Sequence, residues 1–436
     1  MDFFTFSKMI MTLALFEPVI IYAACWPSSR NLVLTHYLPF TLLPLIGGIF
    51  YFFDYRIGLL AGADPYLESL LLVLVVGAAA HAIAFYLSFR VETPLKDAMM
   101  RLMERVKAVG HEAPSRLVTF VTVLAIVSSA LQLYAYAKMG FAPLFAADPL
   151  SAKFYSGQYQ EGYAPVAPFL RLGFQIYVSV APLFMVCLPK GIVKRIAYFF
   201  LVATAAGTIL LSLKRGPLAL PFVDFALTLS VFYKKGRYSA IFMIAYIGIF
   251  AFGAAANGIL FYVIGLRPSL DPEVIFSGVP DISDLLMFWS GFQSRHYDLS
   301  LGRTVLGALI PYRYEWNPSV VTKLAIGATA DIATGGLRLP DAVWGYVAFG
   351  YVGAVVWPAF AGAVSGIQAS LLRSIVNRPD LSFFQFYMMY FVMCSITGFA
   401  ASALAVSLDS LTALAFAALT FKVMLGGARG NRASIR

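Results

Sequence analysis

Charge is scarce along this chain. Of its 436 residues 12% are Asp, Glu, Lys or Arg, against 60% that are apolar, and the mean hydropathy is +0.79. A soluble domain carries about twice that charged share, so the composition excludes one and points to an integral membrane protein. Cysteine is nearly as rare. Cys25, Cys187 and Cys394 fall in or beside apolar segments without CxxC spacing, which excludes a disulfide framework and a zinc site and leaves small buried hydrophobes. Several chemistries are missing altogether. There is no GxxxxGK[ST] loop, no HExxH and no DxD-like pair, so neither a soluble-donor kinase or ATPase nor a metal-bound nucleotide sugar is supported, and no cofactor or metal is expected. Internal repeats, low-complexity tracts and soluble domains are also absent, and residues 1–436 read as one polytopic membrane domain. The first apolar segment lacks a basic leader and contains Glu17, which reads as a retained span rather than a cleaved signal.

Long apolar runs are what the chain has in abundance. A spanning helix needs about 20 mostly apolar residues, and that ruler predicts about eleven spans. They fall near 6–25, 33–53, 66–88, 117–137, 166–187, 193–213, 217–233, 238–264, 342–367, 381–400 and 404–425. The fold class is therefore all-α and polytopic. Lys and Arg gather in alternate loops: Arg90 to Arg116 within the basic loop 89–116, then Lys190, Lys194 and Arg195, then Lys234, Lys235 and Arg237, then Arg373 and Arg378. With Lys422, Arg429, Arg432 and Arg436 at the C-terminus, all fall on one side, which the positive-inside rule makes cytoplasmic. The net charge of +10 is thus a topology signal. Its cations are dispersed between spans rather than gathered on one face, which excludes nucleic acid as a partner. Residues 91–110 alternate apolar and basic positions at helical spacing and read as an amphipathic helix on the inner leaflet, an anchor rather than a regulator.

Two loops face outwards, the smaller at 138–165 and the larger at 265–341. The larger is the one long polar segment, and a loop of that length is functional more often than connecting. It carries Arg267, Arg295, His296, Arg303, Arg313 and Arg338 among aromatic residues. Within it, 281–297 reads as an amphipathic helix whose Leu285, Leu286, Phe288, Trp289 and Phe292 lie on the membrane and which ends at Ser294-Arg295-His296-Tyr297. A surface histidine is more often idle than catalytic, but His296 sits beside an arginine near the lipid surface. His36, His81 and His111 have weaker cases.

The sharpest local signal is Leu211-Ser212-Leu213-Lys214-Arg215-Gly216-Pro217, where two cations interrupt nearly continuous spans at the outward boundary. Snorkelling to lipid headgroups is one explanation. The other is a bound pyrophosphate, with bidentate donors from Arg, a compact charge from Lys and helix N-terminal amides after Pro217. Asp224 is an intramembrane carboxylate in need of a cationic partner, and Arg171, at the outward start of its own span, either pairs with it or meets substrate.

Further along come Ile310-Pro-Tyr-Arg313, the Gly335-Gly336 turn before Arg338 and Asp341, and Trp344-Gly-Tyr-Val-Ala-Phe-Gly350-Tyr-Val-Gly353. With Ser212-Leu-Lys-Arg-Gly216, these segments resemble the outward loop, following helix and Ser-Arg-Gly turn of the Wzy-type O-antigen or oligosaccharide repeat-unit polymerases, which are related to the O-antigen ligases. Gly362 and Gly366 continue that helix as a packing face. The resemblance implies a GT-C-like polymerase fold and metal-independent transfer of a growing glycan from undecaprenyl pyrophosphate to a second carrier-linked repeat unit. It also implies membrane lipids and a chain-length regulator as partners. Two anion cradles are then needed: Arg171, Lys214 and Arg215 for one, and Arg295, Arg303, Arg313 or Arg338 for the other, with guanidinium groups stabilising the departing pyrophosphate. The chain departs from the family where a His-Asn pair precedes the Gly-x-x-Gly helix, for it reads Leu339-Pro340-Asp341 there. Either Asp341 substitutes as base, or His296 approaches, or deprotonation is unassisted. The same departure weakens an O-antigen ligase. A lipid-linked oligosaccharide flippase or sugar permease is the competing class, but it would need ionisable residues deep in several spans and repeat symmetry, and the chain offers only Glu17 and Asp224, no repeat, and a large outer loop that a permease does not need.

Overall fold

The computed structural model describes residues 66–91, 94–214, 280–307, 316–327, 339–376, 378–401, 406 and 408–426, with isolated helical positions between 10 and 25 and between 218 and 233. Among these residues the chain is all-helical, and six helices are long and apolar enough to cross a membrane, with a shorter apolar one at Ser410–Leu425. The expected spans at 33–53 and 238–264 lie outside the described residues.

Elements are named here in chain order: α1 (Leu67–Arg90), α2 (Pro94–Lys107), α3 (Ser115–Met139), α4 (Ala167–Val180), α5 (Ile192–Leu211), α6 (Pro280–Ser294), α7 (Pro318–Ala325), α8 (Asp341–Val376), α9 (Phe383–Ala401) and α10 (Leu408–Leu425). The most extensive packing joins α1 to α8. Small residues make it possible: a Cβ on Gly362 would strike the His81 carbonyl, and one on Gly366 the Phe85 carbonyl, so the backbones touch as a small-xxx-small face requires. Ala14 packs against the cluster of α1, α6 and α8, and Ile21 and Cys25 pack against the largest core. A second group is built on α3 and α4, where Gly173 closes on Leu131 and Gln132 and the Ser128 hydroxyl donates to the Gly173 carbonyl at 2.7 Å.

Three expectations need correction. The segment 342–367 is not one straight span, because Phe349 (φ −142, ψ 23) and Gly350 (φ 63, ψ −148) leave helical geometry. Gly350 takes a left-handed φ that an L side chain resists. The first two turns, 341–348, therefore double back on the turns after the break, and Gly345 and Gly353 meet backbone to backbone. The part of α8 after the break is 351–376. Helix α6 forms where expected, but Leu285, Leu286, Phe288, Trp289 and Phe292 are buried in protein rather than laid on lipid. They close over the first turns of α1 and over the α8 hairpin, and Trp289 Nε1 donates to the Tyr66 carbonyl and to Ser69 Oγ, each at 3.1 Å. Helix α2 is likewise amphipathic, yet its apolar face is spent on the bundle: Met99, Met103 and Val106 join the largest core. Gln385 ties α9 to the end of α2 through the Lys107 and Gly110 carbonyls.

Candidate functional site

The interrupted end of α5 builds the first group. Ser212 caps the helix, its hydroxyl on the Ile209 carbonyl at 2.6 Å, and Leu213 then takes φ 57 while 6% exposed. A left-handed leucine costs on the order of 1–2 kcal/mol, and burial of its side chain offsets that cost. The turn brings Lys214 back over α4, with Nζ 4.0 Å from the Phe174 ring centroid. Arg171, one turn earlier on α4, donates from Nε to the Tyr163 hydroxyl at 3.2 Å. Arg171 and Lys214 thus come to the same end of α4. Arg215 and Asp224 lie outside the described residues. Among those described, the partner of Arg171 is a phenol and not a carboxylate.

Loop 138–165 closes beside this group as an aromatic plug. Tyr155 and Tyr163 stack with centroids 3.9 Å apart, and the Tyr136 hydroxyl donates to the Thr208 carbonyl at 3.0 Å. Tyr155 is 1% exposed and its hydroxyl has no hydrogen-bond partner. Burial, and then the neighbouring Tyr136 and Tyr163, raise the Tyr155 phenol far above its ordinary pKa, so it stays a neutral hydroxyl. A buried polar group left unsatisfied costs about 1–3 kcal/mol and marks a place where a further polar group fits.

The cap carries the second group. At the end of α6, Tyr297 N–H donates to the Phe292 carbonyl at 3.1 Å and His296 N–H to that of Gln293 at 3.2 Å, with the Phe292 and Tyr297 rings in contact. That is a Schellman motif, and His296, at φ 49, fills the left-handed position that glycine prefers. Its imidazole is exposed. The Arg295 guanidinium lies on Gly327, and the Arg303 guanidinium stands 5.0 Å from the Trp316 ring centroid. Ser300 N–H donates to the Val347 carbonyl at 2.8 Å, which fastens this loop to the α8 hairpin. Arg313 and Arg338 lie outside the described residues. Lys323 was not foreseen: it is 8% exposed on α7, and burial lowers its pKa. Nothing in Pro318-Ser-Val-Val-Thr-Lys323 marks it as buried, since lysines usually turn outwards.

Asp341 belongs to neither group. The hairpin carries it down beside α1, because its neighbour Ala342 meets Gly77, which also faces the Ala354 carbonyl and Pro358. Gly77 is ten residues into α1, about 15 Å along a helix. One turn further His81 Nδ1 stands 2.9 Å from one Glu17 carboxylate oxygen and 3.1 Å from the other. Glu17 and His81 thus pair partway along α1, while Asp341 is exposed at the start of the α8 hairpin. His81 was passed over on sequence, although a histidine in mid-span is itself a signal.

Lys214, Arg171 and the tyrosines are built on one apolar cluster, and α6, α7 and the α8 hairpin on another. Among the described residues no group of three or more His, Cys, Asp and Glu has the geometry to hold a metal ion. Comparison of the chain with models of protein families, with curated proteins and with solved structures gives no match.

Proposed function

We propose that the chain is a surface-polysaccharide (O-antigen) polymerase, a glycosyltransferase of the bacterial inner membrane. It joins undecaprenyl-pyrophosphate-linked repeat units on the periplasmic side. In this reading about eleven spans form a GT-C-like bundle, with the basic loops and C-terminus cytoplasmic and 265–341 periplasmic. The observation that carries it is the convergence of Arg171 and Lys214 at one end of α4, with Arg171 donating to the Tyr163 hydroxyl and Lys214 over the Phe174 ring. A guanidinium held by a neutral phenol keeps its charge for an incoming anion.

In the reaction an acceptor sugar hydroxyl attacks the anomeric carbon of the donor. The bond from that carbon to the pyrophosphate oxygen breaks, undecaprenyl pyrophosphate leaves with the electron pair, and the hydroxyl proton passes to a base. Arg171 and Lys214, with Arg215, stabilise the charge developing on the leaving group. Of the two expected bases, His296 stands exposed on the cap, and Asp341 is exposed at the start of the α8 hairpin. Trp316 beside Arg303 offers a ring for sugars.

The Glu17–His81 pair favours a second reading, a proton-coupled flippase of lipid-linked oligosaccharide, since ionisable groups deep in a membrane mark proton and substrate paths. Purified protein in liposomes with undecaprenyl-pyrophosphate-linked repeat units separates the two. The polymerase yields a ladder of longer glycans and free carrier pyrophosphate, unchanged by EDTA. Movement of single units across the bilayer with no ladder makes the chain a flippase, and neither product removes both readings.

A further inference from the structure

The outward loop 138–165 folds on itself before it meets the bundle. Its ends come together: a Cβ on Gly162 would stand 3.2 Å from the Met139 carbonyl oxygen. Between them the Tyr159 hydroxyl accepts from the Asp148 N–H at 3.0 Å, the Phe141 and Tyr159 rings lie with centroids 4.8 Å apart, and the Ser156 hydroxyl donates to the Ser151 carbonyl at 3.3 Å. Such bonds tie the segment to itself, as in a compact loop packed by its own side chains. It leaves α3 through Gly140, at φ 75, where a Cβ would meet nothing within 4 Å, so the backbone can turn there.

Tyr155 is the odd residue of the segment. It ends the short helix Pro149–Phe154 in a Schellman motif, with its own N–H on the Ala152 carbonyl at 3.2 Å and the Ser156 N–H on that of Ser151 at 3.0 Å, and it takes φ 52 where glycine is preferred. The ring lies inward on Tyr163, and its hydroxyl is buried without a hydrogen-bond partner. Burying that hydroxyl disfavours the shut form, since water satisfies it once the segment lifts. Apolar burial shared with Tyr136, Met139 and Leu170 opposes lifting. So does a polar latch from the bundle, Arg171 Nε on the Tyr163 hydroxyl at 3.2 Å. Arg171 is itself exposed, so a solute anion reaches it while the segment is shut. A guanidinium binds an anion more strongly than a phenol, and an anion that takes Nε removes the latch.

We propose that residues 141–162 form a hinged lid, biased towards opening by the buried Tyr155 hydroxyl and released when an anion at Arg171 displaces Tyr163. This rests on the polymerase reading only in taking Arg171 as an anion contact. Lifting parts the stacked Tyr155 and Tyr163 rings beside the bound anion.

Hydrogen exchange of the full chain in detergent, read by mass spectrometry on peptides from 141–162 against peptides from α3, measures the opening. Two isosteric variants should act in opposite directions. Tyr155→Phe removes the unsatisfied hydroxyl and should slow exchange of the segment on the order of tenfold, whereas Tyr163→Phe removes the latch and should speed it by a similar factor. Inorganic pyrophosphate, against chloride at equal ionic strength, should speed exchange in the wild type and in Tyr155→Phe but not in Tyr163→Phe, whose latch is already gone, nor in Arg171→Gln. Exchange in the α3 peptides should stay constant, which shows that each variant is folded. Faster exchange in Tyr155→Phe overturns the lid, because the hydroxyl is then a stabilising group. An unchanged rate in Tyr163→Phe overturns it too, as does pyrophosphate without effect on the wild type. If Tyr163→Phe does not fold, Arg171→Gln, which removes the same latch from the other side, takes its place. Failure of the polymerase reading looks different: no ladder forms in liposomes while pyrophosphate still speeds exchange of the segment.

Discussion

The two ends of the bundle treat their cations differently. At the basic end Lys107 reaches Glu104 at 3.0 Å and Asp380 at 2.5 Å, Lys190 reaches Glu112 at 3.1 Å, and Arg116 donates to the Met424 carbonyl. At the long-loop end Arg171 meets a phenol, Arg303 stands over an aromatic ring, and Arg295 lies on a glycine. A carboxylate neutralises the cation it holds, whereas a ring only positions it. Cations of the first kind fasten elements together. Those of the second kind keep an electrostatic demand that an anionic ligand can satisfy.

The largest effect should come from breaking the hairpin that supports the long-loop end. Gly353→Ala places a Cβ on the Gly345 carbonyl, and an overpacked contact between two backbones should cost about 3 kcal/mol. The fraction of monodisperse protein in detergent should fall with it. Gly207→Ala on α5, where a Cβ meets nothing within 4 Å, should be neutral or gain up to about 1 kcal/mol. Equal behaviour of the two variants would remove the hairpin.

Next in size is the contrast between cations themselves. Arg171→Ala should lower ladder formation by on the order of 100-fold, the scale of a lost donor to developing charge, with insertion unchanged. Lys190→Ala, which loses only an exposed pair with Glu112, should leave the ladder as it was. Wild-type chain lengths in the Arg171 variant would end its role as a cradle.

A finer test separates structure from chemistry at the cap. His296→Gly keeps the left-handed helix end and relieves strain, so stability should rise by about 1 kcal/mol. If activity survives in that stabilised variant, His296 is a cap residue and Asp341 remains as the base. Loss of the ladder in a stabilised protein makes the imidazole the base instead.

The smallest effect concerns the neutralised pairs. The side-chain bond from Lys107, with its charge, holds the Asp380 carboxyl below its ordinary value, and the bond to Asp380, then that to Glu104, raise Lys107. A depressed carboxyl contributes above its unfolded pKa of about 3.9 and loses that contribution as pH falls through the folded value. The raised ammonium contributes below about 10.4 and loses it as pH rises through its folded value. Asp380→Asn should therefore lower the thermal midpoint slightly at pH 7 and not at pH 3. A shift of the same size at both pH values would show that the ion pair is not the cause.

Much of the architecture was legible in the chain itself. Apolar runs of spanning length announced α1, α3, α5 and α9, and Gly362 with Gly366 announced a close helix-packing face. The positions of site residues were less so. Arg171 and Lys214 were both expected at the outward boundary, but their meeting at one end of α4 depends on a left-handed Leu213 that its residue type disfavours. Lys323 gave no sign of burial.

Hydropathy and the period of a helix are local properties, so the sequence by itself determined that this is an all-helical membrane protein and roughly where its helices run. Whether Leu285, Trp289 and Phe292 face lipid or protein, whether 341–376 runs straight or doubles back at Gly350, and whether His81 meets Glu17 are contacts between distant parts of the chain. Those depend on which surfaces are left to bury one another once every helix has formed, and only the tertiary structure decided them.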